Sequence, residues 1–230
     1  YIFRKIADKM PKVKRVIVNT LEAPVGFKVP QGMIDMKDAY ANSVSTAKPV
    51  VAFDPNSILM LMYTSGTTGV PKGVVGRYNR NFIDRLRNTA PFILPSDAVC
   101  YTALQLFHGN ALFITTTSAM IVGATVALSK RFSASRFWQE VAQSKANTFN
   151  TIRAIIPILM KQPQNPYEKQ HKVEKVLSAG CPAGMWEPFE KRFGVTIWEA
   201  YAAIDGTGII ANFGDGPKGS IGKPLNSVVK

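Results

Sequence analysis

Long apolar runs, paired cysteines and clustered histidines are all scarce in this sequence of 230 residues. Residues 111–126 form the longest apolar stretch, but Thr, Ser and Gly interrupt it before it reaches the roughly 18 residues of a membrane span. The two cysteines, Cys100 and Cys181, lie far apart and indicate neither a disulfide framework nor a metal site. The only histidines, His108 and His171, argue against a histidine-rich metal centre. We therefore expect a protein of a reducing, cytoplasmic compartment that has no transmembrane span.

Acidic residues are also few, since 15 Asp and Glu face 28 Lys and Arg and leave a formal net charge of +13. Such an excess attracts nucleic acids, anionic lipids or small polyanions such as nucleotides. The basic residues are spread along the chain and are not interleaved with base-stacking aromatics, as an RNA-binding motif would require. We therefore expect a small polyanionic ligand and no nucleic acid, while peripheral contact with a membrane stays open.

Apolar runs and amphipathic stretches alternate along the chain, which predicts an α/β fold of layered sheets with flanking helices. The predicted strands are residues 58–63, 72–75, 99–103, 125–128, 148–151, 176–177 and 195–198. The predicted helices are residues 79–89, 111–122, 133–143, 157–161 and 186–193. Residues 58–63 have the continuous apolar character of a buried strand, and Ser133 is the predicted cap of its helix. Polar loops at the carboxyl ends of the strands are where such folds bind ligands.

A loop rich in glycine and hydroxyl groups directly follows the first of these apolar runs. Its predicted ligand-binding residues are Thr64, Ser65, Gly66, Thr67, Thr68, Gly69 and Lys72. Glycines let backbone N–H groups approach phosphate oxygens closely, hydroxyls add donors, and the lysine adds positive charge. The loop has no Gly-Lys-Ser/Thr triplet and is therefore not a P-loop of the Walker type. A flexible turn without a ligand is the alternative, but the complete pattern favours a phosphate site.

The segment from Tyr63 to Val74, Y-T-S-G-T-T-G-V-P-K-G-V, resembles the signature loop of the adenylate-forming superfamily. This superfamily contains acyl-CoA synthetases, adenylation domains of peptide synthetases, and luciferases. The resemblance implies that the loop binds the phosphates of ATP and that Lys72 takes part in catalysis. The segment L-F-H-G-N resembles the aromatic-histidine segment beside the acyl pocket, although here the glycine directly follows the histidine. It implies a catalytic position for His108 near the substrate carboxylate.

Two later segments resemble the parts of the family that surround the adenine base. S-A-G-C-P, at residues 178–182, resembles the Gly-Gly-Ala-Pro turn, and E-A-Y-A-A-I-D, at residues 199–205, resembles the Tyr-Gly-x-Thr-Glu segment. The nucleotide-binding residues that these likenesses imply are Ala179, Gly180, Cys181, Glu199, Ala200, Tyr201 and Ala202. The implied Mg²⁺ ligands are Thr64 and Asp205. Ile204 replaces the family threonine and cannot hydrogen-bond a phosphate, whereas Asp205 keeps a carboxylate that suits Mg²⁺.

The resemblance runs from about residue 58 to residue 230 and includes the turn G-S-I-G-K-P at residues 219–224. It implies that residues 1–230 are part of the N-terminal domain of an adenylate-forming enzyme, without the C-terminal lid, and that the chain alone has little turnover. Within the superfamily, residues 131–162 and 191–206 most resemble ligases of the carnitine/crotonobetaine and fatty-acid-transport types.

The implied reaction is ATP-dependent activation of a fatty or carnitine-like acid through acyl-AMP to an acyl-CoA thioester, with ATP, Mg²⁺ and coenzyme A required. Transfer to a carrier-protein thiol is one alternative. A nucleotide binder without turnover, favoured by Ile204 and Asp205, is another. Neither half-reaction needs a covalent nucleophile, so we expect a structural role for Cys181. The oligomeric state stays open.

Overall fold

The structure is a computed structural model that describes residues 5–42, 54–64, 69–77, 80–182, 184–203 and 209–225. The chain divides into two compact units, Tyr1–Phe53 and Asp54–Lys230. In the first unit, strand β1 (Ile17–Val18) pairs in parallel with β2 (Ile34–Asp35), and helix α1 (Met36–Ala41) follows. The Asp35 carboxylate caps this helix by accepting the N–H of Lys37 at 2.9 Å.

The second unit begins with an antiparallel hairpin of β3 (Ile58–Thr64) and β4 (Lys72–Arg77). The strand that we predicted over residues 58–63 is confirmed. Its predicted burial was wrong, because Ile58, Leu61 and Tyr63 are exposed. In the part of the chain that the structure describes, the two strands pair only with each other. An isolated two-stranded ribbon is too narrow to form a core of its own, so its side chains are buried only if another layer packs on it. The apolar character of residues 58–63 therefore does not by itself bury the strand.

A seven-stranded sheet is the centre of the second unit. Its strands are β5 (Val99–Thr102), β6 (Thr125–Leu128), β7 (Thr148–Ile152), β8 (Lys175–Ala179), β9 (Thr196–Ala202), β10 (Ile209–Asn212) and β11 (Lys223–Pro224). They lie in the order β6-β5-β7-β8-β9-β10-β11. Strands β5 to β9 pair in parallel, while β10 and β11 add an antiparallel edge. The predicted α/β class is confirmed.

Helices connect these strands and cover the two faces of the sheet. They are α2 (Arg80–Ile93), a π-helix (Asn110–Thr117), α3 (Ser118–Val122), α4 (Phe137–Gln143), α5 (Ile155–Met160) and α6 (Trp186–Phe193). The single helix that we predicted over residues 111–122 therefore begins as a π-helix. The hydroxyls of Thr116, Thr117 and Ser118 each donate to the carbonyl five residues earlier, which favours the wider turn.

The helix that we predicted from Ser133 begins only at Phe137. The Ser133 hydroxyl lies 3.4 Å from the hydroxyl of Ser135, and no side chain caps the helix start at Arg136. The prediction of a serine cap was therefore wrong. No helix in the described ranges is long and apolar enough to cross a membrane.

Side chains alternate between two apolar cores on the two faces of the sheet. The larger core is aromatic and is centred on Phe149, which is fully buried. The ring of Phe149 meets Phe137 edge-on, with centroids 5.0 Å apart, and meets Trp138 at 5.7 Å. The smaller core, on the other face, includes Leu94 and Cys100. Burial raises the pKa of the Cys100 thiol to about 12, so this cysteine is inert packing material.

His171 packs flat against Trp138 at the rim of the aromatic core, with ring centroids 4.5 Å apart. Its Nδ1 accepts the N–H of Val173 at 3.1 Å, so the ring proton is on Nε2, which donates to the carbonyl of Phe193 at 3.1 Å. Protonation of Nδ1 would lose the first of these bonds. Burial is the main cause that lowers the pKa of His171 below 6.5.

We therefore predict an acid-side loss of stability that depends on His171. Between the lowered pKa of the folded state and 6.5, the unfolded state binds more protons. The free energy of unfolding should consequently fall as the pH drops below 6.5, until the folded pKa is passed. Urea midpoints between about pH 7.5 and 5 measure this effect, and His171→Gln should flatten the fall. His108→Gln is the control, because it leaves the stack on Trp138 intact, and an equal flattening by both variants would contradict this account.

Candidate functional site

The strand order predicts a ligand site at the carboxyl edge of the sheet. The chain continues from β6 to β7, which lie on opposite sides of β5, so the winding direction reverses between β5 and β7. Open α/β sheets bind ligands outside the carboxyl ends of the strands at such a point. The loops that leave β5, β7 and β8 at this edge contain His108, Arg153 and Cys181, respectively. Three separate loops thus bring polar and charged groups to one edge.

A buried carboxylate ties two of the predicted nucleotide segments together. Glu199 on β9 is 4% exposed, and its Oε1 accepts the N–H of Gly180 at 2.6 Å. The N–H of Cys181 lies 2.9 Å from Oε2 and 3.1 Å from Oε1. Burial raises the pKa of Glu199, and the two backbone donors oppose that rise. The turn after β8 is therefore attached to β9 through one side chain, and we call this arrangement the Glu199 clasp.

Buried polar side chains form a row across three neighbouring strands, and Glu199 is its last member. Thr151 on β7 pairs in register with Ser178 on β8, and Ser178 pairs with Glu199 on β9. All three are buried, and all belong to the face of the sheet that carries the aromatic core. Thr151 was not among the residues predicted for this edge. Polar residues at the ends of otherwise apolar strands were the signal that would have identified it.

Arg153, which the sequence analysis also missed, is an exposed cation beside the clasp. It directly follows β7, and its N–H donates to the carbonyl of Ala179 at 3.1 Å. Gly180 has φ +94, and a Cβ there would lie 3.3 Å from the Cβ of Arg153. Glycine therefore lets the turn adopt this backbone shape against the arginine stem. The arginine charge also favours the ionised form of Glu199 and so lowers its pKa.

Strand β9 extends further than the sequence predicted, to Ala202 and past the clasp. Tyr201 lies two residues beyond Glu199 and therefore on the same face of the strand. Its side chain is 49% exposed, so the ring is accessible at the edge of the sheet. Ala200 points to the other face and packs against the smaller core. Ala202, the last residue of β9, is exposed and pairs with Ile209.

The predicted phosphate loop is described at its two ends. Thr64 and Lys72 pair in register at the tip of the β3–β4 hairpin, and the Thr64 hydroxyl lies 3.5 Å from the carbonyl of Lys72. Lys72 and Gly69 are exposed, and Gly69 has φ +127, a backbone conformation that favours glycine. The predicted ligand residues Ser65, Gly66, Thr67 and Thr68 lie outside the described residues.

The proposed magnesium site is only partly described. Thr64 is described at the end of β3, whereas Ile204 and Asp205 lie outside the described residues. Within the described ranges, no group of three or more His, Cys, Asp or Glu side chains is arranged to hold a metal ion. A hydroxyl and a single carboxylate suit a Mg²⁺ ion that keeps water and substrate phosphates as its other ligands.

His108 lies in the turn that follows β5, where its backbone N–H donates to the carbonyl of Gln105 at 2.9 Å. The side chain is exposed, and its ring centroid is 5.8 Å from that of Phe107. Among the described contacts, the structure joins Glu199 to Gly180 and Cys181, and joins Thr64 to Lys72. It does not include His108 in either group.

Cys181 is half-buried in the clasped turn. Burial raises the pKa of its thiol to about 11, and the nearby negative charges of Glu199 and Glu190 act in the same direction. The thiol is consequently protonated at neutral pH and is a poor nucleophile. A structural role for Cys181 stays a prediction.

Residues 3–230 match the family described as AMP-binding enzyme. The very long-chain fatty acid transport protein of Cochliobolus heterostrophus is 39% identical over 70% of this chain and 25% of its own length. The medium/long-chain-fatty-acid–CoA ligase FadD6 of Mycobacterium tuberculosis is 37% identical over 78% of this chain and 30% of its own length. The chain therefore spans about a quarter to a third of these relatives.

The fold is also similar to that of solved enzymes. The structure of the anthranilate CoA ligase AuaEII, in complex with anthranoyl-AMP, superimposes with a TM-score of 0.81 at 20% identity. The similarity covers 96% of this chain and 43% of that one. At this identity the likeness establishes the shared fold, including the parallel sheet whose carboxyl edge holds the clasp.

Proposed function

Since the chain belongs to the AMP-binding enzyme family, we propose that it forms the nucleotide-binding part of a fatty acyl-CoA ligase. The reaction has two halves. A fatty acid carboxylate attacks the α-phosphorus of ATP and releases pyrophosphate, and the thiol of coenzyme A then displaces AMP from the acyl-AMP. A free carboxylate is a poor acyl donor, because its leaving group would be oxide. The first half-reaction attaches AMP, which is a good leaving group.

The Glu199 clasp carries this proposal. It holds the turn of Gly180 and Cys181 beside the end of β9, two residues from the accessible ring of Tyr201. A flat base fits between a backbone turn and an aromatic ring, and stacking on such a ring is worth about 1–3 kcal/mol per base. A backbone turn next to an accessible aromatic ring therefore supports adenine as the ligand of this edge.

Charge neutralisation and in-line positioning are the remaining tasks of the site. In this proposal, the N–H and hydroxyl groups of residues 64–69 bind the ATP phosphates, together with Lys72. When bound, Mg²⁺ at Thr64 and Asp205 supplies further positive charge to the phosphates. In the same proposal, His108, in the loop after β5, faces the acid.

Two features support a fatty acid as the substrate class. Both relatives named above have long-chain fatty acids in their names, and they match 70% and 78% of this chain. The net charge of +13 suits the polyanions ATP and coenzyme A and favours peripheral contact with anionic membranes. We propose the cytoplasm as the location, because both co-substrates are cytoplasmic. A carnitine-like acid is the narrower alternative.

A second candidate function is nucleotide binding without turnover. It is favoured by Ile204, which replaces the threonine of the family segment and cannot hydrogen-bond a phosphate. Transfer of the acyl group to a carrier-protein thiol is a third, since it shares the first half-reaction.

We predict that the ligase containing this chain forms AMP and pyrophosphate from ATP only when an acid is supplied. Pyrophosphate release should be measured over fatty acids of increasing length, carnitine-like acids and aryl acids, with coenzyme A present or omitted. We expect the largest release with a fatty acid and thioester only when coenzyme A is present. No release with any acid would contradict the ligase proposal and favour the binder without turnover. Release without thioester would favour the carrier-protein alternative.

A further inference from the structure

We propose that Glu199 is a positioning residue of the nucleotide site, which acts through the turn after β8 rather than by touching the nucleotide. The inference rests on the proposed function, since it assigns a role within that site. A direct ligand needs an accessible polar group, but Glu199 is 4% exposed. Its carboxylate is directed at backbone N–H groups of Gly180 and Cys181, between 2.6 and 3.1 Å away.

The clasp sets the distance between the two surfaces that would hold the base. One surface is the Gly180–Cys181 turn, which Glu199 binds directly. The other is Tyr201, which is on the same strand and the same face as Glu199. Strand pairing between β8 and β9 ends at Ser178 and Glu199. Beyond it, the described hydrogen bonds from this turn to β9 are those to the Glu199 carboxylate, so the separation of turn and ring should depend on this side chain. A slot of fixed width binds a flat base without first having to be ordered.

A carboxylate suits this position better than other side chains do. Oε1 accepts the N–H of Gly180, and Oε2 and Oε1 share the N–H of Cys181. Bonds of this charged kind are about twice as strong as neutral ones. An amide would offer one acceptor oxygen and would turn an NH₂ group toward the second N–H. An apolar side chain would leave both donors unsatisfied beside a buried strand. Arg153, alongside, contributes the positive charge that favours the ionised form.

The chain has a matched control in Glu190, which binds the other end of the same strand. Its Oε1 accepts the backbone N–H of Ile197 on β9 at 2.8 Å and also the Nε1 of Trp186 at 3.0 Å. Glu190 is thus a second carboxylate that ties a helix or loop to β9, but at the amino end of the strand. A purely structural effect of losing such a bond should appear in both variants.

The experiment measures the dissociation constant of AMP by calorimetry for the wild-type chain and for Glu199→Ala, Glu199→Gln and Glu190→Ala. Amide hydrogen exchange at Gly180 and Cys181 is followed in the same samples. Glu199→Ala should weaken AMP binding by about 10- to 100-fold, as expected for loss of hydrogen bonds to a charged group. Glu199→Gln keeps the shape of the side chain and one acceptor oxygen, so it should lose less AMP affinity. If Glu199→Ala does not fold, the AMP affinity of Glu199→Gln tests the positioning role. Glu190→Ala should lower the melting temperature and change AMP affinity by less than about twofold.

Exchange at Gly180 and Cys181 should rise by about tenfold or more in Glu199→Ala and stay unchanged in Glu190→Ala. The positioning role would be overturned if amide exchange at Gly180 and Cys181 rose in both Glu199 variants while their AMP affinity stayed at the wild-type value. That result would leave the proposed function intact. Equal losses of AMP affinity in Glu199→Ala and Glu190→Ala would also overturn it. Absence of AMP binding by the wild-type chain would overturn the proposed function itself, and the positioning role with it.

Discussion

Replacement of Lys72 by alanine should lower acid-dependent pyrophosphate–ATP exchange by about 100- to 1000-fold, the loss typical of removing a group that stabilises transition-state charge. Lys72 begins β4 at the tip of the hairpin, and its side chain is exposed. An exposed lysine contributes little to folding, so the melting temperature should change by only about 1–2 °C. ATP affinity should fall more than AMP affinity, because AMP lacks the two outer phosphates that the loop is proposed to bind.

The matched control for this variant is Arg77→Ala. Arg77 ends the same strand, and its guanidinium donates to the carbonyl of Asn56 at 2.5 Å, away from the tip. Exchange activity in Arg77→Ala should stay within about threefold of the wild type once the folded fraction is accounted for. Similar exchange rates in Lys72→Ala and in the wild type would show that the hairpin tip does not bind the phosphates.

Phe149→Ala should destabilise the second unit by about 3–5 kcal/mol, the usual cost of truncating a buried phenylalanine. Phe149 is the second residue of β7 and is fully buried, and its ring packs edge-on against Phe137 and Trp138. The cavity that alanine leaves is bordered by rigid aromatic rings, which cannot easily collapse into it. Urea denaturation followed by tryptophan fluorescence measures the loss, because Trp138 is next to the cavity.

Phe92→Ala is the control for this change. Phe92 is close to the end of α2, and its side chain is 62% exposed. Its truncation removes little buried area, so we expect a loss below about 1 kcal/mol. Comparable losses at both positions would mean that the aromatic cluster is not the stabilising centre of the sheet.

Much of the fold could be predicted from periodicity and from glycine positions. Strand β6 and helix α6 have the bounds that the sequence predicted. Helix α6 ends at Phe193, and Gly194 caps it with a φ of +73, which suits a glycine. The π-helix and the late start of α4 were not predictable. They depend on where individual hydroxyls of Ser and Thr find partners, and several partners were available to each. The exposure of β3 depends on which strands lie beside it, and the apolar run does not encode that.

The site was predictable as segments but not as an arrangement. The patterns around Gly180 and Tyr201 identified two strand ends, and the parallel sheet brings those ends to one edge. That Glu199 would use its carboxylate on the backbone of the neighbouring turn could not be read from the sequence, because this requires the register between β8 and β9. The same holds for Arg153, whose place beside Gly180 follows from the pairing of β7 with β8.

Photolabelling with 8-azido-ATP, followed by mass spectrometry of the labelled peptides, tests most directly whether the carboxyl edge of the sheet is the nucleotide site. The azide on the base reacts with whatever lines the adenine slot. We predict that unlabelled ATP and AMP suppress labelling and that the labelled peptides contain Gly180 and Cys181 or Tyr201. Labelling elsewhere that ATP also suppresses, or labelling at these residues that ATP does not suppress, would contradict the account.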